Sequence, residues 1–456
     1  MHDQGMTAQV LEIAYADPLD ACWTLRDRPM TLLLHGSGAH PLARWTYVAL
    51  DPVKVILSDA TNGVAALAEA RAWLLPRMHA LPDGAPPFAG GVAGLFGYEM
   101  GGAFGAGRAS THKTAAPDLA LGCYDMVAAF DHQTRRAFVV APTRARAEAL
   151  ADLLSRGGGR GRETGAGYVA ATTTRTAFEA AVAETVERIR NGDLYQANLS
   201  RRYNGVLAAD DHPYALFQRL CRQSAAPFCA YMRLDDHAIV SNSPERFLSV
   251  TRRDASLVAS TKPIKGTRPR GATADEDKRN AESLLASEKD RAENLMIVDL
   301  MRNDLSKTCI PGSVRAPHLF ALESFANVHH LVSEVEGRLR PDISAFDLFA
   351  GAFPPGSITG APKHQAMKVI DAYEQAARGA YCGALAWFGF DGAMDSSVLI
   401  RTATCAFGES ATRITFNVGA GIVAESDPAE EALETIAKAA SLKRAISGGL
   451  DGGALE

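Results

Sequence analysis

At 456 residues, with 47% apolar residues and a net charge of −5, this is an ordinary globular sequence whose charge points away from nucleic acid and membrane surfaces as partners. No apolar run reaches the ~18 residues of a membrane span, and the start lacks the basic-then-apolar pattern of a secretory signal. Seven cysteines, an odd number, far apart and without a C-x-x-C pair, predict reduced thiols in a cytosolic protein.

In chain order, strands are expected at 31–36 and 45–50, then a helix at 63–79. The glycines of 90–98 suit a strand packed closely against another backbone. Strands at 119–129 and 136–140 lead to a helix at 143–155. Residues 156–167, rich in Gly and Arg, read as a flexible linker. A helix at 177–190 follows, with Thr176 and Glu179 as a capping box and Gly192 as its stop. Strands are expected at 195–206, 227–233, 238–241 and 246–251, and helices at 275–304, 344–352 and 362–376. Strands at 381–389, 396–406 and 412–418 come next, with Asp391-Gly392 as a hairpin turn. Asp427-Pro428 starts a last helix, running to 446. Strands and helices come in runs, which favours α+β over a doubly wound sheet.

The last helix places Glu431, Glu434 and Lys438 within about 60° of one another, with Leu433, Ile436 and Ala440 opposite as its core stripe. Such a face is surface decoration or, because it follows the small-residue segment Asn417-Val418-Gly419-Ala420-Gly421, part of a ligand site. Glu293 shares a helix side with Met296, Ile297 and Leu300, where an uncompensated carboxylate is costly. Its partner is either Arg291 or Lys289 in a buried salt bridge, or a hard cation such as Mg²⁺ shared with Glu434 and a substrate carboxylate. The loop Phe353 to Lys363 opens a helix without Walker spacing, and its Gly, Ser and Thr content favours a carboxylate-binding loop over a plain turn. In the cationic stretch Ser260 to Arg270, Arg268 and Arg270 read as solvated. Lys265, flanked by Ile264 and Gly266, is a candidate nucleophile through loss of hydration.

These segments together resemble the chorismate-utilising enzymes: the anthranilate, aminodeoxychorismate, isochorismate and salicylate synthases. The resemblance rests on Ser243-Pro244-Glu245-Arg246-Phe247, Pro263 to Thr267, Glu293 to Asp304, His329 to Ser333, Phe353 to Lys363 and Gly419 to Lys438, in family order over about 174–446. It implies a large β-sandwich core flanked by helices, of the anthranilate synthase component I type. It also implies an amino-terminal domain at 1–155, a linker at 156–173 and a chorismate-binding catalytic domain at 174–448. Two positions sort the members. Gln196 stands where the isochorismate and salicylate synthases carry a water-activating lysine, so ammonia is the expected nucleophile. Pro-Ile-Lys-Gly-Thr, with Lys265, is the form of the aminodeoxychorismate synthases, whereas anthranilate synthases read Pro-Ile-Ala-Gly-Thr.

The resemblance then implies roles. Lys265 is the nucleophile and Glu245 the general acid–base. Glu293 and Glu434 hold Mg²⁺, supported by Glu431 and Asp290. Arg401, Lys438, Ser357 and the Gly419 and Gly421 amides bind the two carboxylates of chorismate, while Thr267 and His330 position its ring. A separate glutamine amidotransferase subunit is implied as the ammonia source. Gly36 replaces the serine of relatives that bind tryptophan, which argues against a tryptophan site.

Overall fold

The computed structural model describes residues 8–107, 110, 112–114, 116–324 and 328–448. Two large sheets dominate it, one of twelve strands and one of ten, and neighbouring strands run antiparallel. Apolar side chains from both sheets, among them Leu32, Val127 and Met232 from the first and Ala93, Leu95 and Trp387 from the second, form one cluster between them. The outer faces are covered by helices. Arg144–Arg156, Pro213–Gln223, Lys363–Tyr373 and Pro428–Ser447 lie on the first sheet, and Gly63–Leu74, Glu288–Ser306 and Ala345–Ala352 on the second. The architecture is therefore the expected α+β one.

Residues of the expected amino-terminal and catalytic segments share both sheets. Leu32–His35 pairs with Phe228–Arg233 in the first, and Gly91–Phe96 pairs with Ala384–Gly389 in the second. Residues 1–7 of the first segment lie outside the described residues. The glycine-rich stretch between the segments is packed against the fold, contrary to the flexible linker expected. A Cβ at Gly157 would lie 1.8 Å from the Ala21 carbonyl oxygen, and one at Gly165 2.2 Å from that of Ile446. Glycine is used here for close approach of backbones, and Tyr168–Ala171 then joins the first sheet as a strand.

Several boundaries differ from the sequence expectation for physical reasons. Thr174, two residues earlier than expected, caps helix Arg175–Arg190 through the Ala177 N–H. The 275–304 helix is two helices, because Ser287 adopts an extended backbone and caps Glu288–Ser306 through the Asp290 N–H. The cationic stretch forms two strands, Ser256–Thr261 and Ile264–Pro269, and a hairpin of Arg315–Ser324 and Val328–Arg338 lies beside them. The last helix starts as expected, with Asp427 accepting the Ala429 and Glu430 N–H groups. Its buried stripe is Ala432, Thr435, Ala439, Leu442 and Ala445, however, and Leu433 and Ala440 face outwards. Small side chains let the helix approach the sheet closely, and this outweighs the pull of one leucine. Among the described residues no helix is long and apolar enough to cross a membrane, and all seven cysteines are free and buried.

Candidate active site

All thirteen residues singled out in the sequence line one cavity of about 680 Å³. Its floor is strand Arg413–Ile422, which lies between Gln196–Val206 and Thr402–Ala406. Gly419 and Gly421 sit at the end of that strand with no room for a side chain. A Cβ at Gly419 would stand 2.5 Å from Tyr381 Oη, and one at Gly421 would stand 2.9 Å from Gln196 Nε2 and 3.7 Å from Lys265 Nζ.

Lys265 and Thr267 come from strand Ile264–Pro269, whose register against Val328–Arg338 shifts at Gly266. Gly266 has φ +76°, a conformation that side chains disfavour. Thr267 lies opposite His330, and its hydroxyl meets His330 Nδ1 at 2.9 Å. Burial, with the nearby Arg401 charge, lowers the His330 pKa to about 4, so the ring is neutral near pH 7.

Glu245 follows strand His237–Ser243 and is buried. Burial raises its pKa, and the Ser357 hydroxyl, Lys265 and Lys438 oppose the rise. Ser357 Oγ donates to Glu245 Oε1 at 2.7 Å. Ser357, expected at a substrate carboxylate, thus has a carboxylate partner within the protein itself. The loop from 353 to 363 likewise offers no broad carboxylate cradle, since only Ser357 and Ile358 of it reach the cavity while Gly356 packs on Leu300.

Arg401 has φ +52°, and its pKa is lowered by burial. It forms no ion pair among the described residues, and its surface is open to the cavity. An unpaired guanidinium in a cavity is a receptor for an anion. Lys438 Nζ is 2.5 Å from Glu434 and 3.2 Å from the Gly419 carbonyl oxygen.

The four carboxylates expected at the metal are differently engaged. Asp290 pairs with Arg268 at 3.1 Å, and Glu431 accepts the Ser426 hydroxyl at 2.7 Å. Burial raises the Glu431 pKa. Glu293 is half-buried, and neither expected cation pairs with it; Arg291 lies over the Phe320 ring at 4.9 Å instead. Among the described residues no three His, Cys, Asp or Glu side chains converge to hold a metal by themselves. The donor set nonetheless suits Mg²⁺, which commonly takes one or two carboxylates and completes its shell with water and substrate. Five cations (Lys265, Arg268, Lys289, Arg401, Lys438) face five carboxylates (Glu245, Asp290, Glu293, Glu431, Glu434) in the cavity lining. That balance leaves no surplus charge for a ligand with two carboxylates, and a divalent cation would supply it.

Among the lining residues given no role in the sequence are Asn198, Asn417 and Tyr381. The signal for Asn198 is the alternation Gln196, Asn198, Ser200 along a strand, which puts polar groups on one buried face. Tyr381 lies before its strand and carries no local signal. A second cavity, of about 470 Å³, lies between the sheets around His35, Trp45, Tyr47 and Trp387. Gly36 lines it, and a Cβ there would stand 2.4 Å from the Ala43 carbonyl oxygen, so serine does not fit.

Comparison with known proteins agrees with this geometry. The chain is 38% identical over 426 residues to aminodeoxychorismate synthase component 1 of Salmonella typhimurium, covering 90% of this chain and 91% of that protein. It is 37% identical over 379 residues to anthranilate synthase component 1 of Thermus thermophilus, covering 79% of this chain and 78% of that one. The crystal structure of anthranilate synthase component I from Streptococcus pneumoniae superimposes with a TM-score of 0.76 at 28% identity, covering 89% of this chain and 93% of that one. Residues 34–444 match the model of the chorismate binding enzymes, and with this cavity in place the chain belongs to that family.

Proposed function

We propose that the chain is the chorismate-aminating component of an aminodeoxychorismate synthase, which converts chorismate and ammonia to 4-amino-4-deoxychorismate in the cytoplasm. The observation that carries this reading is Lys265, whose amine stands in the cavity wall close enough to Glu245 to influence its protonation. Segment 174–448 carries every proposed site residue, with 1–155 as its amino-terminal companion domain.

Glu245 takes a proton from Lys265, whose amine then adds to C2 of the ring as the double bonds shift and the C4–O bond breaks. Glu245, whose pKa is raised by burial, passes that proton to the departing hydroxyl, which leaves as water, and then takes the proton released by the new C–N bond. Ammonia attacks C4 by the reverse shift and expels Lys265 from C2, so one hard displacement becomes two easier ones. Arg401 and Lys438 bind the substrate carboxylates, and Thr267 and His330 position the ring. Glu293 and Glu434 would hold Mg²⁺, with Glu431 and Asp290 in support, and the ion when bound would neutralise a ring carboxylate. A glutamine amidotransferase subunit supplies the ammonia.

The test is the product. Chorismate, Mg²⁺ and ammonium chloride should yield a compound that a lyase converts to 4-aminobenzoate, and Lys265→Ala should lower that rate at least about a hundredfold. Accumulation of anthranilate, or unchanged turnover by Lys265→Ala, would sink the proposal.

A further inference from the structure

Behind the substrate cavity lies a smaller one of about 20 Å³, room for a single molecule the size of water. Ser110, Asp371 and Ala376, all half-buried, line its outer side, and Tyr98, Glu99, Glu374 and Arg378 form the inner wall. Tyr98 Oη is buried and has no hydrogen-bond partner. Glu99 accepts the backbone N–H groups of Arg378 and Gly379 at 2.8 and 3.0 Å. Glu374 accepts two bonds from Arg378, and the backbone N–H and hydroxyl of Ser200 at 2.9 and 2.8 Å. From there the chain continues inwards. Asn417 Nδ2 donates to Ser200 Oγ at 3.0 Å, and Arg378 donates to the Asn198 carbonyl oxygen at 2.5 Å. Asn198 and Asn417 line the substrate cavity, so one layer of hydrogen-bonding side chains separates the two spaces.

We propose that the small cavity is the port through which ammonia reaches the ring, an inference that rests on the amination proposed above. Ammonia has one heavy atom, three donors and one lone pair. The Tyr98 hydroxyl can donate to that lone pair, and the oxygens of Glu99 and Glu374 can accept its hydrogens. Arg378 sits in the wall, over the Tyr98 ring at 4.7 Å and the Tyr381 ring at 5.4 Å, with its charge paired to Glu374 at 2.6 Å. Burial and the neighbouring Asp118 raise Glu99 to about 7, which makes it a better proton acceptor at the point where ammonium must shed its proton. Glu434 and Lys438, both about half-exposed, line the large cavity where bound substrate and metal would sit. At the inner end, both amide atoms of Gln196 are buried without partners, and Gln196 Nε2 borders the same Gly421 space as Lys265 Nζ.

Ala376 lines the port but lies outside the hydrogen-bonded chain, so Ala376→Leu plugs it without cutting the wall. With ammonium chloride as nitrogen source, Ala376→Leu should raise the KM for ammonium about tenfold, and Tyr98→Phe about threefold, with the KM for chorismate and the melting temperature unchanged. A second arm supplies glutamine and the glutaminase component: a lower rate in Ala376→Leu assigns the port to partner-derived ammonia too, and an unchanged rate restricts it to free ammonia. An unaltered KM for ammonium in both variants, or an equal rise in the KM for chorismate, overturns the port. A wild-type protein that aminates nothing overturns the function itself, and is told apart by that control alone.

Discussion

At His330, surroundings decide charge. Its native pKa of about 4 lies below the ordinary 6.5 of an unfolded chain, because the ring is buried and faces Arg401. As pH falls from 6.5 towards 4 the unfolded chain takes up a proton that the native state refuses, so this residue's contribution to stability is present above 6.5 and lost across that window. His330→Gln lacks the titration. Between pH 7 and pH 5 the urea midpoint of the wild type should therefore fall further than that of His330→Gln, and parallel falls would contradict the assignment. Sequence marked this residue, along with Lys265 and Glu245, because each stands in a short motif of fixed spacing. It did not mark what each one touches. Ser357 looked like a carboxylate donor from its loop composition, yet its partner is Glu245, 112 positions away. No local pattern announces a contact of that range.

The strand carrying Lys265 shows what an element adds to its residues. Ile264–Pro269 alternates poorly between apolar and polar, since Lys265 and Arg268 interrupt it, and so the segment looks like a basic loop. Cross-strand pairing with Val328–Arg338 makes it a strand all the same, and the irregularity at Gly266 lets Lys265 and Thr267 both line the cavity. A methyl group at Gly266 would meet Leu284 Cδ1 at 2.8 Å and Asp290 Cβ at 2.9 Å, in a backbone region that alanine disfavours. Gly266→Ala should cost about 1–3 kcal/mol in urea unfolding and lower amination more than that loss of folded protein accounts for. Equal stability and rate would show the bulge to be incidental. The last helix teaches the converse. Its start was legible in Asp427-Pro428, but its buried face was misjudged because closeness to the sheet, set by Ala432 and Ala439, counted for more than the hydrophobicity of Leu433.

For the molecule as a whole, the α+β class was readable from the order of elements, whereas the pairing of distant strands was not. Removing residues 1–155 would strip Leu32–His35 from Phe228–Arg233 and Gly91–Phe96 from Ala384–Gly389, leaving two unprotected edges and half of the inter-sheet cluster in water. Residues 174–448 expressed alone should therefore elute as aggregates in size-exclusion chromatography, although every proposed catalytic residue is present. A monodisperse fragment would show that the shared sheets are dispensable. Strand Arg413–Ile422 carries a further consequence, since it occupies an interior place in its sheet beside a partner more than two hundred residues upstream. During synthesis the emerging polypeptide holds a gap in that sheet until residues 413–422 appear. Assembly of the cavity must then wait for that strand, and the nascent chain needs shelter until it arrives.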